Sequence, residues 1–337
     1  MKLSVLHGRR NGFALRAAAT ALTALVSVAT FAGTAAAEPE KSPSVTSIEK
    51  DGRTWHLKVY SAAMGGDITV DVQRPVDESK PAPSLWLLNG LDGGYGTASW
   101  KARTNVLDWL SDKQVNVIQP IGGFATYYAD WIKDDPKLGR NKWKTFFTEE
   151  LPPVLDATLG STGLNSLAGL STSGTSVLQL AEAKPGLWKS VAAYSGCAQI
   201  ADPAGQTFVK LSVNRGGGNT ENMYGPDNDP RWAANDPVVN AEKLRGTNLY
   251  ISSGSGIPVM EDVNWYLNNG GPETLALGMI IEGATNACSH NLKTKLDSLN
   301  IPATYQFTPV GTHYWPYWEQ ALHDSWPLLA QGMGLQP

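Results

Sequence analysis

The sequence predicts an α/β fold, a mostly parallel central sheet with helices on both faces. Three observations predict it. Short apolar runs alternate with segments of helical spacing along most of the 337 residues. Gly169-Leu170-Ser171-Thr172-Ser173 stands where one apolar run, 164–170, gives way to a helical run, 176–183. Hydrophobic residues make up 42% of the chain, enough to bury a single large core.

Taken in order, the chain begins with a secretion signal, residues 1–37. Lys2, Arg9, Arg10 and Arg16 lead into an alanine-rich apolar stretch, 17–32, and Ala35-Ala36-Ala37 offers a small-residue cleavage site. A membrane anchor fits less well, because the stretch is short, is broken by threonines and has no stop-transfer charges after it. Residues 38–337 then read as one catalytic-sized α/β domain. Cleavage after Ala37 leaves 300 residues with 23 basic and 31 acidic side chains, a net charge of −8. An acidic chain with no basic cluster argues against nucleic acid as a partner. No later segment is long and apolar enough to span a bilayer, so any membrane association would be peripheral.

Residues 54–60 and 67–73 alternate like antiparallel edge strands. A buried strand is expected at 84–88, a helix at 100–110, a strand at 115–120 and a helix at 143–155. The strand at 164–170 and the helix at 176–183 follow, the latter stopped near Pro185-Gly186. Further strands are expected at 190–194, 248–252 and 303–308, with a short helix at 273–280 and an amphipathic helix closing the chain at 315–329. Residues 214–237 break the pattern. They carry Gly216-Gly217-Gly218, many polar residues and three prolines, which reads as a functional loop insertion or lid.

Metal or cofactor chemistry is not expected. The five histidines show no zinc-binding spacing, and two cysteines cannot build a zinc knuckle. In an oxidising compartment Cys197 and Cys288 can pair as a disulfide; two buried thiols are the other arrangement.

Ser171, between a buried strand and a helix and two residues after a glycine, has the setting of a nucleophile elbow. Ser173 stands where such turns usually have glycine. Alone, the same serine would serve as a helix N-cap, so partners decide. In the α/β-hydrolase arrangement they follow in the order serine, acid, histidine. His313 lies between the last strand and the closing helix, whereas His290 and His323 lie inside helical segments. For the acid, Glu261 and Asp262 follow the 248–252 strand and Glu282 comes later; pattern alone leaves all three open. The oxyanion amides would be Thr172, after the nucleophile, and Leu91, in the glycine-rich loop Asn89-Gly90-Leu91-Asp92-Gly93-Gly94.

At this point the chain resembles a known family, the antigen 85-type mycolyltransferases, secreted α/β-hydrolase-fold acyltransferases of mycolic-acid-bearing bacteria. The likeness runs from about Ser84 to the closing helix. It is carried by Leu88-Asn89-Gly90-Leu91, Pro120-Ile121-Gly122-Gly123, Tyr128-Ala129-Asp130-Trp131, Thr145-Phe146-Phe147-Thr148-Glu149-Glu150-Leu151-Pro152 and Ala168-Gly169-Leu170-Ser171. Tyr224-Gly225-Pro226, Asp229-Pro230-Arg231-Trp232, Asn235-Asp236-Pro237 and Gly311-Thr312-His313-Tyr314-Trp315 complete it. The resemblance implies Ser171 as nucleophile, His313 as base and Glu282 as acid, the last because Ile281-Glu282-Gly283 is similar to the family's Leu-Glu-Gly. It also implies Leu91 and Thr172 as oxyanion donors.

Two departures stand out. The family's Asp-Gly-Leu-Arg, whose charged side chains help hold trehalose, is here Asn89-Gly90-Leu91-Asp92. Tyr314 replaces a serine. Losing an arginine for Asp92 removes up to five donors and reverses the charge, which shifts weight away from trehalose as acceptor. Asn89, Asp92 and Trp315 are the candidate substrate contacts. The implied substrates are a mycolate glycolipid donor, such as trehalose monomycolate, and a hydroxyl acceptor: a second trehalose monomycolate, arabinogalactan or a protein serine. A secreted carboxylesterase with the same three residues, or a non-catalytic surface protein binding glycolipid or matrix, is the alternative.

Overall fold

The computed structural model describes residues 41–336; the expected signal at 1–37 lies outside them. Nine strands form one sheet: β1 (Ser44–Asp51), β2 (Thr54–Ser61), β3 (Gly66–Gln73), β4 (Ala82–Leu88), β5 (Asn116–Ile121), β6 (Ser161–Leu170), β7 (Ser190–Tyr194), β8 (Asn248–Ser253) and β9 (Thr304–Phe307). Their spatial order is β1-β2-β3-β5-β4-β6-β7-β8-β9. The first three strands and the β3–β5 pair are antiparallel, and every pair from β5 to β9 is parallel. Chain order reverses across β4, because β5 lies on one side of it and β6 on the other. Ligand crevices of open α/β sheets form at the carboxyl ends of strands beside such a switch.

Side-chain alternation explains why the sheet is covered twice. In β4, Leu85 and Leu87 enter one core cluster while Trp86 and Leu88 enter the other. The helix Thr172–Ala183 packs on β6 and β7, with Val177, Leu178 and Leu180 in the cluster of Trp86 and Leu88. The closing helix Trp315–Gly332 covers β6, β7 and β8 from the opposite face through Trp318, Leu322, Trp326 and Leu329. A strand buried on both sides loses period-two polarity and becomes a continuous apolar run, as in β4 and β7.

Several expectations need correction. The expected helix at 100–110 is two short helices, Trp100–Arg103 and Val106–Trp109. They part at Thr104, whose hydroxyl donates to the Trp100 carbonyl (2.6 Å) and competes with helix continuation. The expected short helix at 273–280 is the start of a 28-residue helix, Gly271–Ser298, which carries Glu282 in its interior. Residues 214–237, expected as a loop insertion, carry short helices of their own. These are Thr220–Met223 and Pro230–Ala234, and Met223, Tyr224 and Trp232 are buried against Tyr127, Ala129 and Trp131 in a third cluster. Among the described residues no helix is long and apolar enough to cross a membrane.

Candidate active site

Ser171 sits between β6 and the helix Thr172–Ala183, with φ 56° and ψ −125°. That left-handed φ is costly for a non-glycine residue and persists only where the surroundings enforce it. The Ser171 N–H donates to the Tyr194 carbonyl (2.9 Å) and the Gly174 N–H to the Ser171 carbonyl (3.0 Å). Gly169 is required by close approach. A Cβ there would lie 2.7 Å from the Ser173 carbonyl oxygen and 2.8 Å from Val177. Ser173 fits the position where glycine is usual because its buried hydroxyl is absorbed by backbone. It accepts from the Leu170 N–H (2.9 Å) and lies within donating distance of the Leu88 (3.1 Å) and Leu170 (2.9 Å) carbonyls. The side chain thus ties the ends of β4 and β6 together.

His313 follows β9, as expected. Its Nε2 lies 2.8 Å from Ser171 Oγ and its Nδ1 2.8 Å from Glu282 Oε2. An ionised carboxylate only accepts, so Nδ1 carries the proton, and Nε2 is left to accept from the Ser171 hydroxyl. Glu282 is 1% exposed. Burying a carboxylate is costly unless its lone pairs are filled. Here its Oε1 accepts from the Gly254 N–H (2.6 Å), the Ser195 hydroxyl (2.8 Å) and the Ser253 hydroxyl (3.2 Å). Trp318 Nε1–H donates to Ser195 Oγ (2.9 Å), which leaves that hydroxyl's own proton for Glu282. The Trp318 ring also stands edge-on to the imidazole, 4.8 Å between centroids at 81°. Gly256, at φ 84°, lets the loop after β8 lie against the acid-bearing helix, since a Cβ there would come within 2.5 Å of the Met279 carbonyl oxygen.

The rival acids lie elsewhere. Asp262 is buried at the start of the helix Met260–Asn269, where Oδ2 accepts from the Val259 N–H (3.1 Å) and the Tyr317 hydroxyl (3.0 Å). Glu261 is exposed on the first turn of that helix. His290 caps back onto its own helix at the Asn286 carbonyl, and His323 lies tilted against Trp109, ring centroids 4.4 Å apart. Sequence reasoning missed Ser195, Ser253 and Trp318. Ser195 shares Ser171's left-handed φ, at 50°, a trait no residue type announces.

The loop after β4 runs directly past the nucleophile: a Cβ on Gly90 would be 3.3 Å from Ser171 Cβ. Among the described residues neither Leu91 N–H nor Thr172 N–H has a protein acceptor, Thr172 being the first residue of its helix. Of the candidate substrate contacts, Asn89 is fully buried, and its Oδ1 accepts from the Trp100 N–H (3.0 Å). Its Nδ2 is buried without a hydrogen-bond partner among the described residues. Asp92 is partly exposed. Trp315 is half-buried, edge-on to Trp100 (5.8 Å) and Trp318 (5.1 Å). Cys197 and Cys288 are joined as a disulfide, Cα atoms 4.9 Å apart. The bridge ties the loop after Ser195 to the helix that carries Glu282.

A profile of the family described as "Putative esterase" matches residues 61–329. The diacylglycerol acyltransferase/mycolyltransferase Ag85A of Mycobacterium leprae is 32% identical over 299 residues, covering 84% of each chain. The diacylglycerol acyltransferase/mycolyltransferase Ag85B of Mycobacterium intracellulare is 32% identical over 341 residues, covering 97% of this chain and 94% of its own. The chain belongs to the antigen 85 mycolyltransferase family. Among solved structures, Mycobacterium tuberculosis MPT51 (FbpC1) matches with a TM-score of 0.71 at 21% identity, covering 84% of this chain and all of its own. An S-formylglutathione hydrolase from Agrobacterium tumefaciens matches with a TM-score of 0.58 at 16% identity. At those identities the two structures establish the α/β-hydrolase fold alone, and the family assignment rests on the sequence relatives.

Proposed function

We propose that the protein is an exported serine acyltransferase that takes a mycolyl group from a trehalose monomycolate-type donor and passes it to an envelope hydroxyl. The observation that carries this reading is the unbroken hydrogen-bonded line Ser171–His313–Glu282 in a chain of this family. His313 Nε2 takes the Ser171 proton as Oγ attacks the donor's ester carbon. The Leu91 and Thr172 amides receive the oxyanion, each such donor lowering the barrier by about 2.7–4 kcal/mol. As the ester C–O bond breaks, the same proton passes to the departing sugar oxygen, leaving the acyl group on Ser171. An acceptor hydroxyl then gives its proton to His313 and attacks; Ser171 leaves and recovers that proton. Glu282 holds the imidazole in the required tautomer and stabilises its charged form.

Transfer outruns hydrolysis only if the acceptor is better placed than water. Asn89, whose Oδ1 is taken by the Trp100 N–H, and Asp92 in place of arginine are poor supports for a trehalose clamp. Arabinogalactan or a protein serine is therefore favoured as acceptor. The test has two arms. A fluorophosphonate probe should label the wild type and not Ser171→Ala; equal labelling of both would end the proposal. Mass spectrometry of products formed from trehalose monomycolate, with trehalose, arabinan fragments and a serine peptide competing, should show acylated acceptor. Free acid alone, whatever acceptor is added, would make the protein an esterase.

A further inference from the structure

At the far end of the nucleophile's own helix lies a second polar cleft. It has a volume of about 290 Å³ and is lined by Gln179 and Glu182 of that helix, Lys144 and Thr148 opposite, and Asn235 and Lys243 from the segment before β8. Neither lysine pairs with a carboxylate among the described residues. Lys144 Nζ donates to Asn235 Oδ1 (3.2 Å) and Lys243 Nζ to Asn240 Oδ1 (3.0 Å), each leaving further N–H groups unused. Glu182 is 5% exposed, and its Oε1 has no hydrogen-bond partner. Glu149, on the rim, is neutralised by Lys184 (2.8 and 3.0 Å).

We infer that this cleft is a binding site for a small oxyanion ligand, a phosphate ester or free phosphate, held by Lys144 and Lys243 with the Glu182 carboxyl as a third donor. The charge balance selects the class. Desolvation pushes the Glu182 carboxyl up to about 9, with Lys243 pulling it down and Asp236 pushing it up. At neutral pH it is therefore an uncharged acid with one O–H to donate and no protein acceptor. Two lysines without carboxylate partners line one cleft, which disfavours a cation and calls for acceptor oxygens. The volume admits a ligand of monosaccharide-phosphate size, near the lower end of small-molecule sites. Glu182 lies eleven positions beyond Ser171, roughly 16.5 Å of helix at 1.5 Å per residue. The cleft is therefore separate from the place of acyl transfer.

Calorimetric titration with inorganic phosphate, glucose 6-phosphate and glucose tests the assignment. Both phosphates should bind at millimolar concentration or below, and glucose should not. Tighter binding of the ester would identify a phosphorylated metabolite; equal binding would identify free phosphate. Lys144→Met and Lys243→Met should each weaken phosphate by about tenfold, the loss of one charge-assisted bond, while fluorophosphonate labelling of Ser171 reports an intact fold. Between pH 8 and 10 wild-type affinity should fall as Glu182 ionises, and Glu182→Gln, which keeps a donor without a titrating proton, should not share that fall. Glucose binding as well as its phosphate, lysine variants that bind normally, or no saturable heat with either phosphate would each overturn the inference.

Discussion

Removing the Cys197–Cys288 bridge, as the double serine variant, offers a quantitative test of how this chain is held. The bridge spans 91 residues. Closing a loop of that length in the unfolded chain costs roughly 15.5 cal/mol/K in the chain-entropy description, or about 4.6 kcal/mol at 25 °C. The native contacts around it do not depend on sulfur: the Thr175 hydroxyl still reaches the Cys197 carbonyl (2.9 Å), and Leu292 and Leu296 still anchor the long helix. Most of the loss should therefore come from a freer unfolded state. Urea denaturation followed by tryptophan fluorescence measures it, and dithiothreitol treatment of the wild type should reproduce the variant. A destabilisation below about 1 kcal/mol would refute the reasoning, because the unfolded chain would then already keep those ends together. Normal stability with lost labelling at Ser171 would show instead that the bridge acts by holding Glu282 in place.

Glu282→Gln should lower kcat by about 10³–10⁴ with little change in melting temperature, since an amide nitrogen facing His313 Nδ1–H forces the wrong tautomer; steady-state kinetics on a soluble ester checks this. Gly169→Ala should destabilise the protein by about 1–3 kcal/mol, the usual cost of overpacking, as its methyl meets Ser173 and Val177; denaturant titration reads it. The Glu182 carboxyl is raised from 4.5 to about 9 on folding. Between those values the unfolded chain has released its proton while the folded chain retains it, so stability falls as pH rises through this window. Glu182→Gln should remove that part of the slope, and an unchanged slope in pH-dependent denaturation would contradict the burial argument.

How far the sequence could be read followed from how locally each feature is written. Strands β4 to β8 were legible because burial on both faces leaves apolar runs, and His313 because it falls between the last strand and the closing helix. Strand β1 was missed because Ser44–Asp51 is exposed at seven of eight positions; only its backbone pairing with β2 makes it a strand. Glu282 could not be chosen by pattern, since it comes from a helix interior while Glu261 and Asp262 stand nearer the end of β8. Family resemblance selected it, and its Oε2 lies 2.8 Å from His313 Nδ1. Asn89 was read as a substrate contact; its Oδ1 accepts from the Trp100 N–H, a bond no local pattern announces. Trp318 and Ser195, 123 residues apart, meet only through the fold, and no spacing rule connects them.

His313 is also fastened through its main chain. Its N–H donates to the Gly278 carbonyl (3.1 Å), and its carbonyl accepts from the Tyr266 hydroxyl (2.7 Å). Both anchors belong to the helical hairpin 260–298, whose outer surface presents Met260, Leu267, Leu277 and Ile280 to solvent. Whatever leans on that oily shoulder therefore pushes on the same bracket that aims the imidazole.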